Sequence, residues 1–429
     1  MRLGILTRYV LVAPLVASTL IACTRAREDR IVVTFPGSSV GAEAEVLRRQ
    51  LDDFMLAHPE IRVVQRQTPD AADQRHQLYV QWLNAGADDP DILQLDVVWI
   101  AEFAAAGWIR ALDDFAPEIG DFFPATIVAN RWQGRLYALP WFVDVGMLYW
   151  RTDLLPHAPA TFEELSDQVL QARAQGSGFP QPHYGLVWQG ARYEGLVTVF
   201  LEYLGAFGGR IVDESGRVIV DSPAARRALE TMRAALNEGV VPTVALTWHE
   251  EESRLAFQNG QALLMRNWPY AYSAMQGAGS KVAGRFAIAP MPGGSGGAPT
   301  AALGGAQLAI NAHSDQPRAA YAVIQFLTAP ERMIERARVA GQYPARRSLY
   351  AGSVLQEALP VEPAAVRRII EAAVPRPVTP VYSELSALLQ IHLHQALIGE
   401  RAPAEALAAA AREMRALLAR VELGGLDAQ

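Results

Sequence analysis

The pentapeptide Gly37-Ser38-Ser39-Val40-Gly41 has the G-x-S-x-G spacing of a nucleophile elbow and falls between a run that reads as a strand and one that reads as a helix. It follows the first strand of the mature chain, which leaves no earlier strands for a hydrolase sheet and no upstream loop for an oxyanion donor. The glycines then serve a tight turn, with Ser38 or Ser39 and nearby amides offered to a ligand at a helix N-terminus. His249-Glu250-Glu251-Glu252-Ser253 starts like a zinc-protease helix, but Ser253 stands where a second histidine must project onto the same face. His392 and His394 are two residues apart, point to different sides of a helix and read as surface residues. No metal site and no cofactor are expected. Carboxylates for glycoside hydrolysis can be drawn from Asp96, Asp144 and Glu251, although sequence does not set their separation, so a secreted, lipid-anchored glycoside hydrolase is the rival class.

Two of these carboxylates suit recognition better than catalysis. Carbohydrate is held by flat apolar rings against its C–H faces and by charged groups that bond its hydroxyls. Asp96 ends the expected strand Ile92 to Leu95, and in open α/β sheets a ligand lies beyond the carboxyl ends of the strands. The same carboxylate would suit the N-cap of a helix through Trp99 and Phe103. Asp144 interrupts Leu139-Pro140-Trp141-Phe142-Val143 and Val145-Gly146-Met147-Leu148-Tyr149-Trp150, surroundings in which a carboxylate needs an arginine or a ligand.

The elements that must carry these residues alternate. Ile31 to Phe35 reads as a strand stopped by Pro36-Gly37, and Val46, Leu47, Leu51, Phe54 and Met55 mark a helix that ends at His58-Pro59. A strand Ile61 to Gln65, a helix from Ala71 to Ala85 and a strand Ile92 to Leu95 follow, an order that predicts a mainly parallel, helix-covered sheet. Further helices are expected around Phe162 to Ala174, Ala224 to Asn237, Glu250 to Asn259 and Ala402 to Val421. Gly293-Gly294-Ser295-Gly296-Gly297 reads as a flexible loop or a crossing between lobes. A chain of 429 residues exceeds what one core usually serves, so two lobes are expected.

Cys23, the only cysteine, ends Leu20-Ile21-Ala22-Cys23 after a start made basic by Arg2 and Arg8 and an apolar run too short to span a bilayer comfortably. This is the pattern of a bacterial lipoprotein signal over residues 1–22, with a lipidated tether over 23–30. It places the protein outside the cytoplasm, as a periplasmic or cell-surface lipoprotein. A net charge of -7 without an aromatic-interleaved basic cluster argues against nucleic acid.

The segment from Phe257 to Tyr270, with Asn267-Trp268-Pro269, resembles the solute-binding proteins of sugar ABC importers, particularly the trehalose- and maltose-binding branch. The likeness extends through Asp89-Pro90-Asp91, Leu95-Asp96-Val97-Val98-Trp99, Gly134 to Pro140, Tyr193-Glu194-Gly195-Leu196, Leu303-Gly304-Gly305 and Val374-Pro375-Arg376-Pro377. It implies an α/β, two-lobed periplasmic-binding-protein-like fold that closes over an α-glucoside disaccharide and delivers it to a permease driven by a separate ATPase. Residues 31–138 plus 294–342 would form the N-terminal lobe and 139–293 plus 343–429 the C-terminal lobe. The crossings would lie near Gly134 to Pro140, Pro290 to Ala301 and Ala340 to Ala345, in a chain that works as a monomer and catalyses nothing. By position Glu43, Asp96 and Asp144 would accept bonds from sugar hydroxyls, and Trp268 would stack on a ring. Gly304 and Gly305 would let backbone approach, Arg346 would donate, and Ser39, Phe142 and Glu251 complete the candidate set. Relatives often carry tryptophan where this chain has Ala306.

Overall fold

The computed structural model describes residues 30–37, 41–69, 72–174, 183–359 and 361–426; Cys23, Ser39 and the signal and tether expected before residue 30 lie outside them. The strand Ile31–Gly37 pairs in parallel with Ile61–Gln67, and the helix Gly41–Ala57 connects them. That helix forms where expected because Val46, Leu47, Leu51 and Phe54 fall on one face, which is buried. The strand runs two residues past Phe35, since it pairs on one side only and Pro36 is tolerated there.

Parallel pairing does not dominate the rest of the molecule. Ile92–Asp96 and Ala138–Pro140 flank Ala306–Ile310, and both pairings are antiparallel. The central strand arrives from far along the chain, so its direction was not written in the local alternation. The helices Pro317–Leu327 and Pro330–Ala340 then pack on Gly41–Ala57. The second of these contacts is pinned by Arg49 on Glu335 at 2.7 Å and Arg332 on Asp53 at 2.7 Å.

A second body is built on four strands in the order Phe286–Ala289, Met147–Arg151, Ala262–Asn267, Tyr184–Val187. The helix Glu194–Ala206 runs through its core and is buried on nearly every side. Such a helix shows no stripe, which is why periodicity missed it. The helices Pro223–Asn237, Tyr382–Leu397 and Pro403–Leu426 cover it. On Tyr382–Leu397 His392 is buried, contrary to the surface expectation, and His394 is partly buried. His392 is buried beside Arg401, and His394 Nε2 lies 3.2 Å from the Leu246 carbonyl, because neighbouring helices cover more than one face.

Between the bodies lies a small sheet ordered Tyr343–Pro344, Phe142–Val145, Ala301–Gly304, Ala373–Val374. The chain passes through it three times: from Ala138–Pro140 to Met147–Arg151, from Phe286–Ala289 to Ala306–Ile310, and from the helix Pro363–Glu371 to Tyr382–Leu397. It touches the sheet at Tyr343–Pro344 without leaving the first body. The helix Val354–Ala358, expected with the C-terminal lobe, packs on Pro330–Ala340 of the first body. Leu355, Val366, Ile369 and Ile370 join a core that holds Phe35, Phe54 and Leu303 and extends to Tyr149 and Phe286. The fold is a two-lobed α/β periplasmic-binding-protein fold. Among the described residues no helix is long and apolar enough to cross a membrane.

Candidate functional site

Asp96 and Asp144 reach one place because a single segment holds both. Ala306 pairs with Asp96 at the end of the three-stranded sheet, and Gly304 pairs with Asp144 in the joint sheet. Gly305 between them has φ +116°, and a Cβ there would lie 2.3 Å from the Phe142 carbonyl oxygen, so the kink requires glycine. Asp96, Asp144, Gly304 and Gly305 face a cleft of about 740 Å³. From the second body Tyr193, His249, Glu250, Trp268 and Tyr270 line it, and Gln74 reaches it from the first.

The electrostatics of the two carboxylates differ. Asp96 Oδ1 accepts from the Val98 N–H at 3.2 Å and from Arg376 Nη2 at 3.1 Å. It therefore closes the turn before the helix Ile100–Ala105 but does not cap it; Trp99 holds the cap position without a side-chain bond. Arg376 is 3 % exposed and its Nη1 lies 2.8 Å from Glu194 Oε1. Burial opposes its charge, but Asp96 and Glu194 outweigh that and hold its pKa above the ordinary range. Burial pushes the Asp144 carboxyl up to about 7, the charges of Glu43 and Asp96 add to the rise, and Arg266 opposes it.

Trp268 is partly buried and forms an apolar wall. Its backbone carbonyl accepts from Tyr149 at 2.7 Å, its Nε1 lies 3.4 Å from Glu250 Oε1, and the Arg266 guanidinium sits 4.0 Å from its ring centroid. The rings of Tyr193 and His249, which also line the cleft, meet at 4.4 Å with a tilt of 48°. A cleft lined by rings and by a pair of carboxylates can hold a solute with apolar faces and hydroxyl edges.

Other candidates sit elsewhere. Arg346 does not face the cleft: its Nε donates to the Thr328 carbonyl at 2.9 Å, and its guanidinium lies over Phe122 with Asp121 at 3.7 Å. Glu251 is turned aside, pairing with Arg254 and accepting from the Tyr270 hydroxyl at 2.7 Å, while its neighbour Glu250 lines the cleft. Phe142 is buried in the joint sheet against Trp141. Glu43 stands in the first turn of its helix, where its Oε1 accepts from Gln342 Nε2 at 2.9 Å, and it acts on Asp144 through its charge. Ala306 is buried in its ladder, so a larger side chain is not what lines the cleft here. Arg376, Glu194 and Tyr193 were missed as site residues, although the motifs containing them were in view; nothing local says that Pro375-Arg376-Pro377 returns beside Asp96. Among the described residues no group of three or more His, Cys, Asp or Glu is placed to hold a metal ion.

Two α/β lobes on a three-pass joint, with a cleft between them, define a solute-binding protein of the periplasmic type. The chain belongs to the family of bacterial extracellular solute-binding proteins, whose model matches residues 40–334. That family binds solutes and is not enzymatic, which sets aside the hydrolase. A protein of Deinococcus radiodurans described as a probable ABC transporter-binding protein is 35% identical over 388 residues, covering 88% of this chain and 91% of that one. Among solved structures, maltose-bound MalE3 of T. maritima is 41% identical with a TM-score of 0.82, covering 90% of this chain and 99% of its own. The GacH receptor of Streptomyces glaucescens, solved unliganded and with acarbose, is 26% identical with a TM-score of 0.79, covering 91% and 98%.

Proposed function

We propose that this chain is the substrate-binding component of a sugar ABC importer and that its ligand is an α-glucoside disaccharide such as maltose or trehalose. The observation that carries the reading is the cleft itself, lined by Asp96, Asp144 and Trp268 together. Likeness to the maltose-bound T. maritima protein at 41% identity supports the sugar class. In this reading Asp96, Asp144 and Glu43 accept from hydroxyls or shape the field that orients them. Trp268 stacks on a sugar ring, Gly304 and Gly305 admit the ligand to the backbone, and Arg376 takes the donor role expected of Arg346. Ligand touching both lobes favours the closed state, because only there are all its contacts made.

The protein works as a monomer outside the cytoplasm, tethered by lipid on Cys23, and hands sugar to membrane permease subunits. Replacing Cys23 by alanine should abolish fatty-acid labelling; labelling that persists refutes the anchor. Calorimetric titration of the chain from Thr24 onward with maltose and trehalose tests the ligand. Saturable heat with the sugar recovered intact supports the reading, and the absence of heat with either sugar overturns it.

A further inference from the structure

We infer that Arg266 is a positioning residue of the cleft, acting through Trp268 and Asp144 while touching no ligand itself; the inference rests on the sugar-binding reading. Arg266 and Glu202 are both fully buried. Arg266 Nε lies 2.9 Å from Glu202 Oε2, its Nη2 also donates to Glu202, and its Nη1 donates to Gln189 at 3.1 Å. Gln189 in turn donates to the Arg266 carbonyl at 3.1 Å, and Glu202 lies within 3.4 Å of the Ala302 N–H of the joint sheet. The guanidinium is thus fixed in position and orientation.

Two consequences reach the cleft. A cation held 4.0 Å from the indole centroid occupies one face of Trp268 and resists rotation of the ring, which leaves the remainder of the indole to the ligand. The same cation offsets the field on Asp144. Glu43 from the first helix and Asp96 from the three-stranded sheet both disfavour its charge, and the neighbouring phenols of Tyr149 and Tyr343 are neutral in the range of interest. Arg376 is engaged by Asp96 and Glu194, so Arg266 is the cation acting on Asp144. The backbone is shaped for this arrangement: a Cβ on Gly146 would fall 1.7 Å from Glu202 Oε1 and 2.5 Å from Arg266 Nη2. The ion pair therefore packs against Gly146, directly after the strand Phe142–Val145 that carries Asp144.

The double variant Glu202→Leu/Arg266→Met removes both charges while keeping apolar volume, an exchange that buried ion pairs tolerate. Its maltose affinity is measured by calorimetry from pH 5.5 to 8.5, and its Asp144 carboxyl is titrated by carbon NMR without sugar. Expected are a melting temperature near that of the parent, about a tenfold loss of maltose affinity at pH 7.5, and an Asp144 titration moved to higher pH. Parental affinity together with an unmoved titration overturns the inference and leaves the pair a structural one. Arg266→Lys covers the case in which the double variant does not fold. It should keep the Asp144 titration and lose affinity, and parental affinity in that variant refutes positioning of Trp268. If the parent itself binds neither maltose nor trehalose, the sugar reading fails, while the ligand-free titration still decides whether Arg266 governs Asp144.

Discussion

Asp96 and Asp144 lie opposite Ala306 and Gly304, which flank the kink at Gly305, so a single backbone segment sets two carboxylates at one cleft. Only Asp96 has a guanidinium bonded to it. The other absorbs the strain of their proximity, and its carboxyl is pushed up to about 7, first by burial and then by Glu43 and Asp96.

Stability of the empty protein should therefore fall with pH. The folded-state pKa of Asp144 lies above its unfolded value, so the folded chain binds the extra proton between about 4 and about 7, and the stability that proton confers is lost as pH rises through that window. Melting of the unliganded protein from pH 4.5 to 8 should show the decline, superposed on the other titrations. Asp144→Asn should flatten it and raise the melting temperature at pH 8. Maltose affinity should move the opposite way in the parent, strengthening as Asp144 ionises, because a charged acceptor bonds hydroxyls more strongly.

Arg376 ties Asp96 to Glu194, with bonds of 3.1 and 2.8 Å, and Glu194 also accepts from Tyr382 at 2.6 Å. Removing the cation leaves two partly enclosed carboxylates close together. Arg376→Met should lose about 2 to 5 kcal/mol of stability, measured by urea unfolding. The double variant Glu194→Gln/Arg376→Met should recover part of the loss.

Trp268→Ala should weaken maltose binding by about 1 to 3 kcal/mol through lost ring contact and apolar burial. Affinity and melting temperature are measured together. A variant that melts much earlier yet binds as the parent does would make Trp268 a packing residue alone.

Gly305→Ala tests the kink. With φ at +116° and the Phe142 carbonyl 2.3 Å from the new methyl, the substitution should lower stability by about 1 to 3 kcal/mol, seen in urea unfolding. Gly304→Ala should be milder in stability, since its methyl would meet Trp268 and Asp144 at an ordinary 3.5 Å. Its effect should fall on maltose affinity, because both neighbours line the cleft.

Sequence alone determined what local pattern and composition can carry. The helix over Val46 to Phe54, the strand ending at Asp96 and the two-lobed class follow from periodicity, chain length and motif likeness, and Asp144 stood out as a charge set in an apolar run. Asp96, Asp144, Trp268, Gly304 and Gly305 do meet in one cleft. The tertiary structure decided which of several equivalent side chains faces it. Glu250 and Glu251 are indistinguishable as letters in a glutamate run, but the course of their helix turns the first to the cleft and the second to Arg254. Arg346 and Arg376 each follow an apolar turn, and only the latter lies on the strand passage that returns beside Asp96. The buried Glu202–Arg266 pair was not legible in the sequence, because attraction between charges distant in sequence exists only once the chain has folded them together. Local sequence sets which way a segment prefers to curl; the pairing of distant strands, and with it every contact across the cleft, is settled by the packing of the whole chain.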